Sequence, residues 1–344
     1  MSLSEMSTRM YVEASQAAQV VRDQLFANAE EMERLGERLR LFSPRAVVTC
    51  ARGSSDHAAT FAKYLIETRL GVLTSSAAPS VSSVYDIRPD LANTLCLAIS
   101  QSGASPDLLA AVSKAREAGA MVIALVNAKD SPLARHADHV VPLCAGVEKS
   151  VAATKSFIAS LAATIHLVSC WAEDRELSEA LRKAPKHLEK AWSLDWSAAV
   201  ERLASATDLY VVGRGIGLGV AQEAALKLKE TCGLHAEAVS AAELRHGPMA
   251  LVRAGFPVLV FSQNDEARAG VEMLAAELVA RGADVMTAGS RCQGALHLPW
   301  EPGHPVIEPM LIAQTFYRMA NALSLARGLD PDRPPNLSKV TETV

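Results

Sequence analysis

Two short segments rich in hydroxyl side chains each follow an apolar run and precede a helical pattern. In the first, Ser54 and Ser55 come directly after "VVTCARG". In the second, "LCLAIS" continues into Gln101, Ser102 and Gly103. Hydroxyl and amide groups next to the free N–H groups of a helix start can hold an anion such as phosphate, and a glycine lets the backbone approach it closely. The two segments are therefore candidate parts of a single phosphate site.

The second segment also carries the signals of a helix start. Ser105 is a good N-cap residue, Pro106 suits the first turn, and Asp107 favours the positive end of the helix dipole. Ser100, the last residue of the apolar run, adds another hydroxyl group. No G-K-[ST] sequence follows, so the segment is not a Walker loop and implies no nucleotide. Taken alone it fits an ordinary capped helix, and the matching first segment favours a ligand site.

A second group of residues with the chemistry of proton transfer lies further along the chain. Glu223, Lys227 and Glu230 are spaced by four and three residues, which places them on one face of a predicted helix. A ladder of exposed ion pairs is the alternative interpretation. His246 precedes Gly-Pro, a sequence typical of a loop, where a histidine can act as a general acid or base.

Neither a metal nor a nucleotide cofactor is predicted. "YVVGRGIGLG" resembles a dinucleotide fingerprint, but no G-x-G-x-x-G begins at Gly213 or Gly215, because the last position falls on Leu218 or Val220. Zinc is conceivable at "HAEAVSAAELRH", which however contains no histidines paired at i, i+4 and no thiolate pair. We expect the protein to work without a cofactor.

An internal repeat indicates how the chain positions these residues. "VVTCARG" (47–53) aligns with "LYVVGRG" (209–215), and at the same offset "LCLAISQ" (95–101) aligns with "PVLVFSQ" (257–263). Each half reads strand, small-residue turn, helix, strand, polar turn, helix, strand. Continuous apolar strands that alternate with helices predict parallel sheets covered on both faces. The sequence therefore predicts an α/β protein with two tandem doubly wound domains, each a flavodoxin-like three-layer α/β/α sandwich.

The predicted domain organisation has four parts. A helical segment occupies residues 1–35, and the first α/β domain, with the candidate phosphate site, occupies residues 36–195. The second α/β domain, residues 196–328, carries the candidate acid and base. A Pro-rich tail, residues 329–344, follows, and its prolines argue against a continued helix.

Composition and charge exclude several classes of function. The chain has 344 residues and a formal net charge of −4, so it lacks the basic footprint of a nucleic-acid-binding protein. The most apolar stretch, residues 157–172, is shorter than the about 20 residues that span a bilayer, and we predict a buried helix there. The N-terminus has no apolar core of signal-peptide type. Six scattered cysteines without a C-x-x-C pair predict reduced thiols in the cytoplasm.

Several longer segments resemble one known family. The segments are "ARGSSDHA", "SQSGASPD", "GVEKSVAATKSF", "EAALKLKETCGLHAEAVSAAELRHGPMALV" and "NLSK". They are similar to the sugar isomerase (SIS) domain family, and in particular to the isomerase half of glucosamine-6-phosphate synthase and to its SIS-type glucosamine-6-phosphate deaminase relatives. The resemblance covers nearly the whole chain in order. It implies tandem SIS domains that act on a hexose 6-phosphate or an amino-hexose 6-phosphate.

The resemblance also implies roles for individual residues. It assigns proton transfer between C1 and C2 to Glu230, ring opening to His246, and an imine with the open-chain sugar to Lys339, with Lys227 beside them. The tail that carries Lys339 would fold over the active site. We expect a homodimer with shared sites, because the family shares its sites across a dimer. The phosphate would be held by Ser55, Ser100, Gln101, Ser102 and Ser105, with Ser54 and Val151 nearby.

Departures from the synthase pattern favour a deaminase. The sequence opens at Met1-Ser2, and we expect no glutaminase domain. The synthase loop has Gly-Glu-Thr where this chain has "GASP". "SGxSPD" looks more like the deaminase and deglycase branches. The predicted reaction is glucosamine 6-phosphate plus water giving fructose 6-phosphate plus ammonia. Galactosamine 6-phosphate or a fructosyl-amine 6-phosphate as substrate stays open, as does a non-catalytic sugar-phosphate sensor, although Glu230, His246 and Lys339 together favour an enzyme.

Overall fold

The computed structural model describes residues 5–87 and 89–339. The described chain divides into two compact units. One unit comprises Gln19–Glu148, Ser156–Arg182 and residues 338–339. The other comprises residues 5–18, Lys149–Lys155 and Lys183–Leu337. Each unit contains one parallel β-sheet.

Two N-terminal helices precede the first sheet. Thr8 caps the first of them by accepting a hydrogen bond from the backbone N–H of Tyr11.

The elements from the N-terminal helices to the end of α8 are α1 (Arg9–Ser15), α2 (Ala17–Phe42), β1 (Ala46–Cys50), α3 (Ser54–Leu70), β2 (Thr74–Ser76), α4 (Pro79–Ser83), β3 (Thr94–Ser100), α5 (Pro106–Glu117), β4 (Met121–Val126), α6 (Pro132–His136), β5 (His139–Pro142), α7 (Lys155–Ala172) and α8 (Arg175–Trp192).

The first sheet has the strand order β2-β1-β3-β4-β5, and its neighbouring strands are parallel. Every residue of β3 is buried, as expected for a parallel strand covered by helices on both faces. This order is the flavodoxin-like one, in which β1 and β3 lie at the point where the strand order reverses. In open sheets of this kind, ligands bind outside the carboxyl ends of the strands at that point.

The second sheet repeats the arrangement of the first. The later elements are α9 (Ser197–Leu203), β6 (Asp208–Gly213), α10 (Leu218–Cys232), β7 (His235–Ser240), β8 (Pro257–Phe261), α11 (Arg268–Ala280), β9 (Asp284–Ala288), β10 (Leu296–His297) and α12 (Glu308–Ala326). The strand order is β10-β9-β8-β6-β7, which in the opposite direction matches the order of the first sheet. The predicted fold class, two tandem doubly wound α/β domains, is confirmed.

The predicted buried helix is also confirmed. Helix α7 is long and apolar enough to cross a membrane by length and composition, but 83% of its apolar window is buried inside the protein. Core side chains of α7 such as Phe157, Leu161 and Ile165 are almost completely inaccessible. The apolar character of this helix therefore reflects its place in the interior.

Candidate functional site

The first sheet places the two hydroxyl-rich segments side by side. Strand β1 ends at Cys50 and strand β3 ends at Ser100, and the two strands pair in parallel with Cys50 opposite Ala98. Residues 51–53 then lead into α3, and residues 101–105 lead into α5. Because both loops leave neighbouring strands at the same edge of the sheet, Ser54, Ser55 and the 100–105 loop form one polar region. We call residues 51–55 and 100–105 the cradle.

The conformation of the 100–105 loop depends on its own hydroxyl groups and on a glycine. The Ser100 hydroxyl accepts a hydrogen bond of 2.9 Å from the Gly103 N–H, and the Ser102 hydroxyl accepts one of 3.4 Å from the Ala104 N–H. Gly103 has a φ of +63°, and a Cβ atom there would lie 2.2 Å from Oγ of Ser131. The loop therefore needs glycine at this position.

Ser105 occupies the N-cap position of α5 without capping it through its side chain. Its backbone is extended, with φ −63° and ψ 123°, but its side chain makes no capping hydrogen bond. Gln101, Ser102 and Ser105 are all partly exposed at the cradle, as are Ser54 and Ser55. Their hydroxyl and amide groups are accessible to a ligand.

An ion pair that the sequence did not reveal joins the first loop of the cradle to α5, the helix that follows the second loop. Nε and Nη2 of Arg52 lie 2.7 Å and 2.6 Å from Oδ2 of Asp107. The Asp107 side chain is 1% exposed, and its Oδ1 accepts a hydrogen bond from the Leu108 N–H in the first turn of α5. Nearby, burial raises the pKa of Asp56, an effect that the positive charges of His57 and Arg52 partly offset.

A buried charge network occupies helix α10. Nζ of Lys227 lies 3.3 Å from Oε1 of Glu223 and 2.6 Å from Oε2 of Glu230. The Tyr317 hydroxyl donates a hydrogen bond of 3.1 Å to Oε1 of Glu223. Lys227 and Glu223 are each 1% exposed, whereas Glu230 is 19% exposed. The alternative of an exposed ion-pair ladder is therefore wrong.

The charges of this network are balanced so that the lysine stays protonated. Burial by itself lowers the pKa of Lys227, but the neighbouring carboxylates Glu223 and Glu230 more than compensate, and the net pKa lies above its usual value. Lys227 is thus an ammonium that fixes the position of the Glu230 carboxylate. A carboxylate held in this way, and still partly open to solvent, can accept a proton from a substrate.

His246 lies outside this network, on a separate exposed turn. It ends a 3-10 turn, Glu243–His246, that follows strand β7. The next residue, Gly247, has a φ of 138°, a backbone conformation that favours glycine. The Tyr210 hydroxyl donates a hydrogen bond to the Pro248 carbonyl and so ties the following turn to strand β6. Within residues 5–87 and 89–339, no three His, Cys, Asp or Glu side chains are grouped to hold a metal ion.

Lys339 contacts a buried glutamate that the sequence analysis did not select. Its Nζ lies 3.3 Å from Oε2 of Glu148, a side chain that is 0% exposed. Glu148 also accepts hydrogen bonds from the Ser156 hydroxyl, at 2.6 Å, and from the Ser156 N–H, at 3.2 Å. The Lys339 side chain is 25% exposed, so it is a partly buried ion-pair partner.

Val151 belongs to a short segment that is tied to helix α1. The backbone N–H groups of Lys149 and Ser150 donate to the Glu13 carboxylate at 2.5 Å and 3.0 Å. The Glu13 side chain is itself buried. Val151, next in the chain, is partly exposed.

The corresponding edge of the second sheet is filled by a side chain. Gln263, which aligns with Gln101 in the repeat, donates from Nε2 to the Arg214 carbonyl at 2.9 Å. A Cβ atom on Gly217 would lie 2.5 Å from Oε1 of Gln263. Gly217 therefore makes room for Gln263 at this edge of the sheet.

Sequence and structure comparisons identify the family to which the chain belongs. The sequence profile of the SIS domain matches residues 40–169 and 202–288. The glutamine–fructose-6-phosphate aminotransferase (isomerizing) of Aeropyrum pernix is 38% identical over 307 residues, which cover 83% of this chain and 49% of that protein. The chain thus spans about half the length of the curated relatives it matches.

Two solved structures are similar over nearly the whole chain. A protein of Silicibacter pomeroyi, named provisionally as a phosphosugar isomerase, has 43% identity and a TM-score of 0.91, with 94% of this chain and 100% of that one covered. The C-terminal domain of glucosamine-fructose-6-phosphate aminotransferase from Francisella tularensis has 26% identity and a TM-score of 0.87, with 95% and 98% covered. The chain belongs to the SIS domain family and has relatives among phosphosugar isomerases and the SIS regions of these aminotransferases.

Proposed function

We propose that the protein is an amino-sugar phosphate deaminase that converts glucosamine 6-phosphate and water into fructose 6-phosphate and ammonia. The observation that carries the proposal is the pair of Lys227 and Glu230, in which a buried ammonium holds a partly exposed carboxylate. This arrangement suits an aldose–ketose conversion that proceeds by proton transfer between C1 and C2. Relatives named as aminotransferases of fructose 6-phosphate support a sugar-phosphate substrate.

In this proposal the cradle binds the 6-phosphate of the substrate. Hydroxyl groups and the free N–H groups of two helix starts are suited to the phosphate oxygens. His246 transfers the proton that opens the sugar ring and exposes the C1 aldehyde. The groups assigned to the phosphate are Ser55, Ser100, Gln101, Ser102 and Ser105, with Ser54 and Val151 close by.

The central step moves a proton between two carbons. Glu230 removes the proton from C2 of the open-chain amino sugar and returns it to C1. O1 gains a proton and the nitrogen loses one in the same conversion, so the C1 aldehyde becomes an alcohol and the C2 amine becomes an imine. Lys227 does not exchange a proton with substrate and acts by keeping the Glu230 carboxylate in place.

Ammonia leaves by exchange at C2. The neutral amine of Lys339 attacks the C2 imine and displaces ammonia, and water then hydrolyses the lysine imine to release the ketone of fructose 6-phosphate. Glu148, the ion-pair partner of Lys339, is placed to take up the proton that the amine must lose before it attacks. No group from outside the substrate, water and these side chains is required.

A homodimer with shared sites, working in the cytoplasm, is part of the same proposal. The resemblance supports the shared site, and the six free cysteines suit a reducing compartment. The oligomer can be tested by mixing a His246→Ala variant with a Glu230→Gln variant. If sites are shared, the mixture recovers up to about a quarter of the parent activity, whereas each variant alone stays inactive.

A substrate panel tests the proposed reaction against its alternatives. Initial rates of ammonia release are measured with glucosamine 6-phosphate, galactosamine 6-phosphate, a fructosyl-amine 6-phosphate and unphosphorylated glucosamine. We expect glucosamine 6-phosphate to give the highest kcat/KM, since "SGASPD" supports the deaminase branch. If another phosphorylated compound gives a higher kcat/KM, that compound is the substrate and the proposed one is wrong. If the protein binds the phosphorylated compounds without turning any of them over, the sensor alternative is supported.

A further inference from the structure

The cradle as assigned contains no positive charge among its ligand groups. Its proposed phosphate ligands are neutral hydroxyl and amide side chains, whereas a sugar phosphate carries close to two negative charges at neutral pH. Arg52 is the sole lysine or arginine in residues 51–55 and 100–105. It lies on the loop between β1 and α3 that also leads to Ser54 and Ser55.

The contacts of Arg52 hold its guanidinium group at a fixed place. Nε and Nη2 both contact Oδ2 of Asp107 in the first turn of α5, the helix that follows the second loop of the cradle. Nη1 is not part of that pair, and the Arg52 side chain is 49% exposed. Nε and Nη2 therefore fix the position of the guanidinium, and the side chain as a whole remains exposed to solvent.

The charge of Asp107 is compensated from a second direction. Its Oδ1 accepts the Leu108 N–H, and its place in the first turn of α5 lies at the positive end of the helix dipole. Because the helix start stabilises this buried carboxylate, the arginine keeps part of its attraction for a further anion. Guanidinium groups are well suited to phosphate, since their N–H donors match its oxygens.

We propose that Arg52 is a specificity-determining residue that recognises the 6-phosphate through Nη1, with Asp107 as the residue that positions it. The inference rests on the proposed function, because it concerns the same substrate site. Arg52 supplies a positive charge to a site whose other proposed phosphate ligands are neutral. Its charge favours the binding of a phosphorylated sugar over that of the free sugar.

The test compares fructose 6-phosphate binding in matched variants by calorimetry. Arg52→Gln removes the charge, Arg52→Lys keeps it, and Arg45→Gln is the control, because Arg45 precedes the same strand at its opposite end and pairs with exposed Asp90. We expect Arg52→Gln to raise the Kd by about 10- to 100-fold, the range for a hydrogen bond to a charged group. Arg52→Lys is expected to raise it less, and Arg45→Gln by under about twofold.

Two further measurements separate recognition from a structural role. The Arg52→Gln/Asp107→Asn double variant removes both charges without leaving a buried carboxylate unpaired, and it is expected to fold and to bind fructose 6-phosphate as weakly as Arg52→Gln. The second phosphate ionisation falls near pH 6. Affinity of the parent should therefore rise between pH 5.5 and 7.5, and this rise should be smaller in Arg52→Gln.

The outcomes distinguish this inference from the proposed function. Suppose that the parent binds fructose 6-phosphate, and that folded Arg52→Gln or the folded double variant binds it equally well. Arg52 then does not recognise phosphate, while the proposed function stands. A restored affinity in the double variant alone would reduce the pair to a structural contact and overturn the inference. If the parent binds neither fructose 6-phosphate nor glucosamine 6-phosphate, the proposed function fails and the inference fails with it.

Discussion

Nζ of Lys227 lies 2.6 Å from Oε2 of Glu230, on a helix face that is buried at the lysine and partly open at the glutamate. The same ammonium contacts Glu223, which also accepts a hydrogen bond from the Tyr317 hydroxyl. Glu230 therefore stands at the accessible end of a chain of buried polar contacts. Such support fixes the direction of the carboxylate, and the Glu230 side chain remains accessible to a substrate.

Replacing Glu230 with Gln tests its role as the base. The amide keeps the size of the side chain but cannot accept a proton, so kcat should fall by about 10²- to 10⁴-fold, the usual contribution of a general base. Exchange of solvent deuterium into C1 of fructose 6-phosphate measures the step directly. Glu201→Gln, at an exposed position of α9, is the control and should behave like the parent. Unchanged exchange in Glu230→Gln would show that another group moves the proton.

Replacing Ser102 with Ala tests the phosphate cradle. Ser102 is preferable to Ser100, because the Ser100 hydroxyl is buried and accepts the Gly103 N–H. The KM for glucosamine 6-phosphate should rise by about 10- to 100-fold, the value of a hydrogen bond to a charged group. Ser178→Ala, on an exposed position of α8, is the matched control. An unchanged KM would remove Ser102 from the site.

Trapping the proposed imine tests Lys339. Borohydride added to the parent with fructose 6-phosphate should reduce a lysine imine to a stable adduct that peptide mass spectrometry locates at Lys339. Lys339→Ala should give no adduct and still bind fructose 6-phosphate, since the cradle does not use this amine. Lys63→Ala, an exposed lysine on α3, should be labelled like the parent. Normal turnover by Lys339→Ala would exclude the covalent step.

A buried histidine predicts how stability depends on pH. Burial lowers the pKa of His166 on α7 to about 4, and its Nδ1 has no hydrogen-bond partner within the part of the chain that the structure describes. In the unfolded chain His166 becomes protonated near pH 6.5, whereas in the folded chain it stays neutral until about pH 4. Stability is therefore full above pH 6.5 and falls as the pH drops through this window, by at most about 3 kcal/mol.

Urea unfolding at several pH values between 4 and 7.5 checks this expectation. The parent should lose stability toward pH 4 more steeply than His166→Leu, which has no titrating group at this position. The difference between the two slopes is the readout, because other groups titrate alike in both proteins. Parallel slopes would mean that His166 protonates in the folded state as readily as in the unfolded chain.

The sequence was sufficient for the fold because the signals of the fold are local. Alternation of apolar strands with helices, and a repeat that aligns Gln101 with Gln263, predict the parallel sheets that the structure contains. The same alignment does not show that the edge of the first sheet is open to a ligand while the corresponding edge of the second sheet is filled. In the second sheet Gln263 itself occupies the space beside Gly217, which depends on side-chain packing.

The contacts that complete the candidate site were harder to predict, because they join residues distant in sequence. Lys339 meets Glu148, and Arg52 meets Asp107, across separations that no helical or strand periodicity encodes. The spacing of Glu223, Lys227 and Glu230 predicts a shared face but not whether that face is buried. Only tertiary packing makes Lys227 a buried ammonium rather than a member of an exposed ladder.

The most direct test of the central claim is a balance of products from glucosamine 6-phosphate. Purified protein is incubated with this substrate without glutamine, added metal or nicotinamide, and ammonia and fructose 6-phosphate are both quantified over time. The account predicts equal amounts of the two products, weak reversal with added ammonia, and loss of both products in Glu230→Gln. Fructose 6-phosphate without ammonia, ammonia without fructose 6-phosphate, or the absence of both would contradict it.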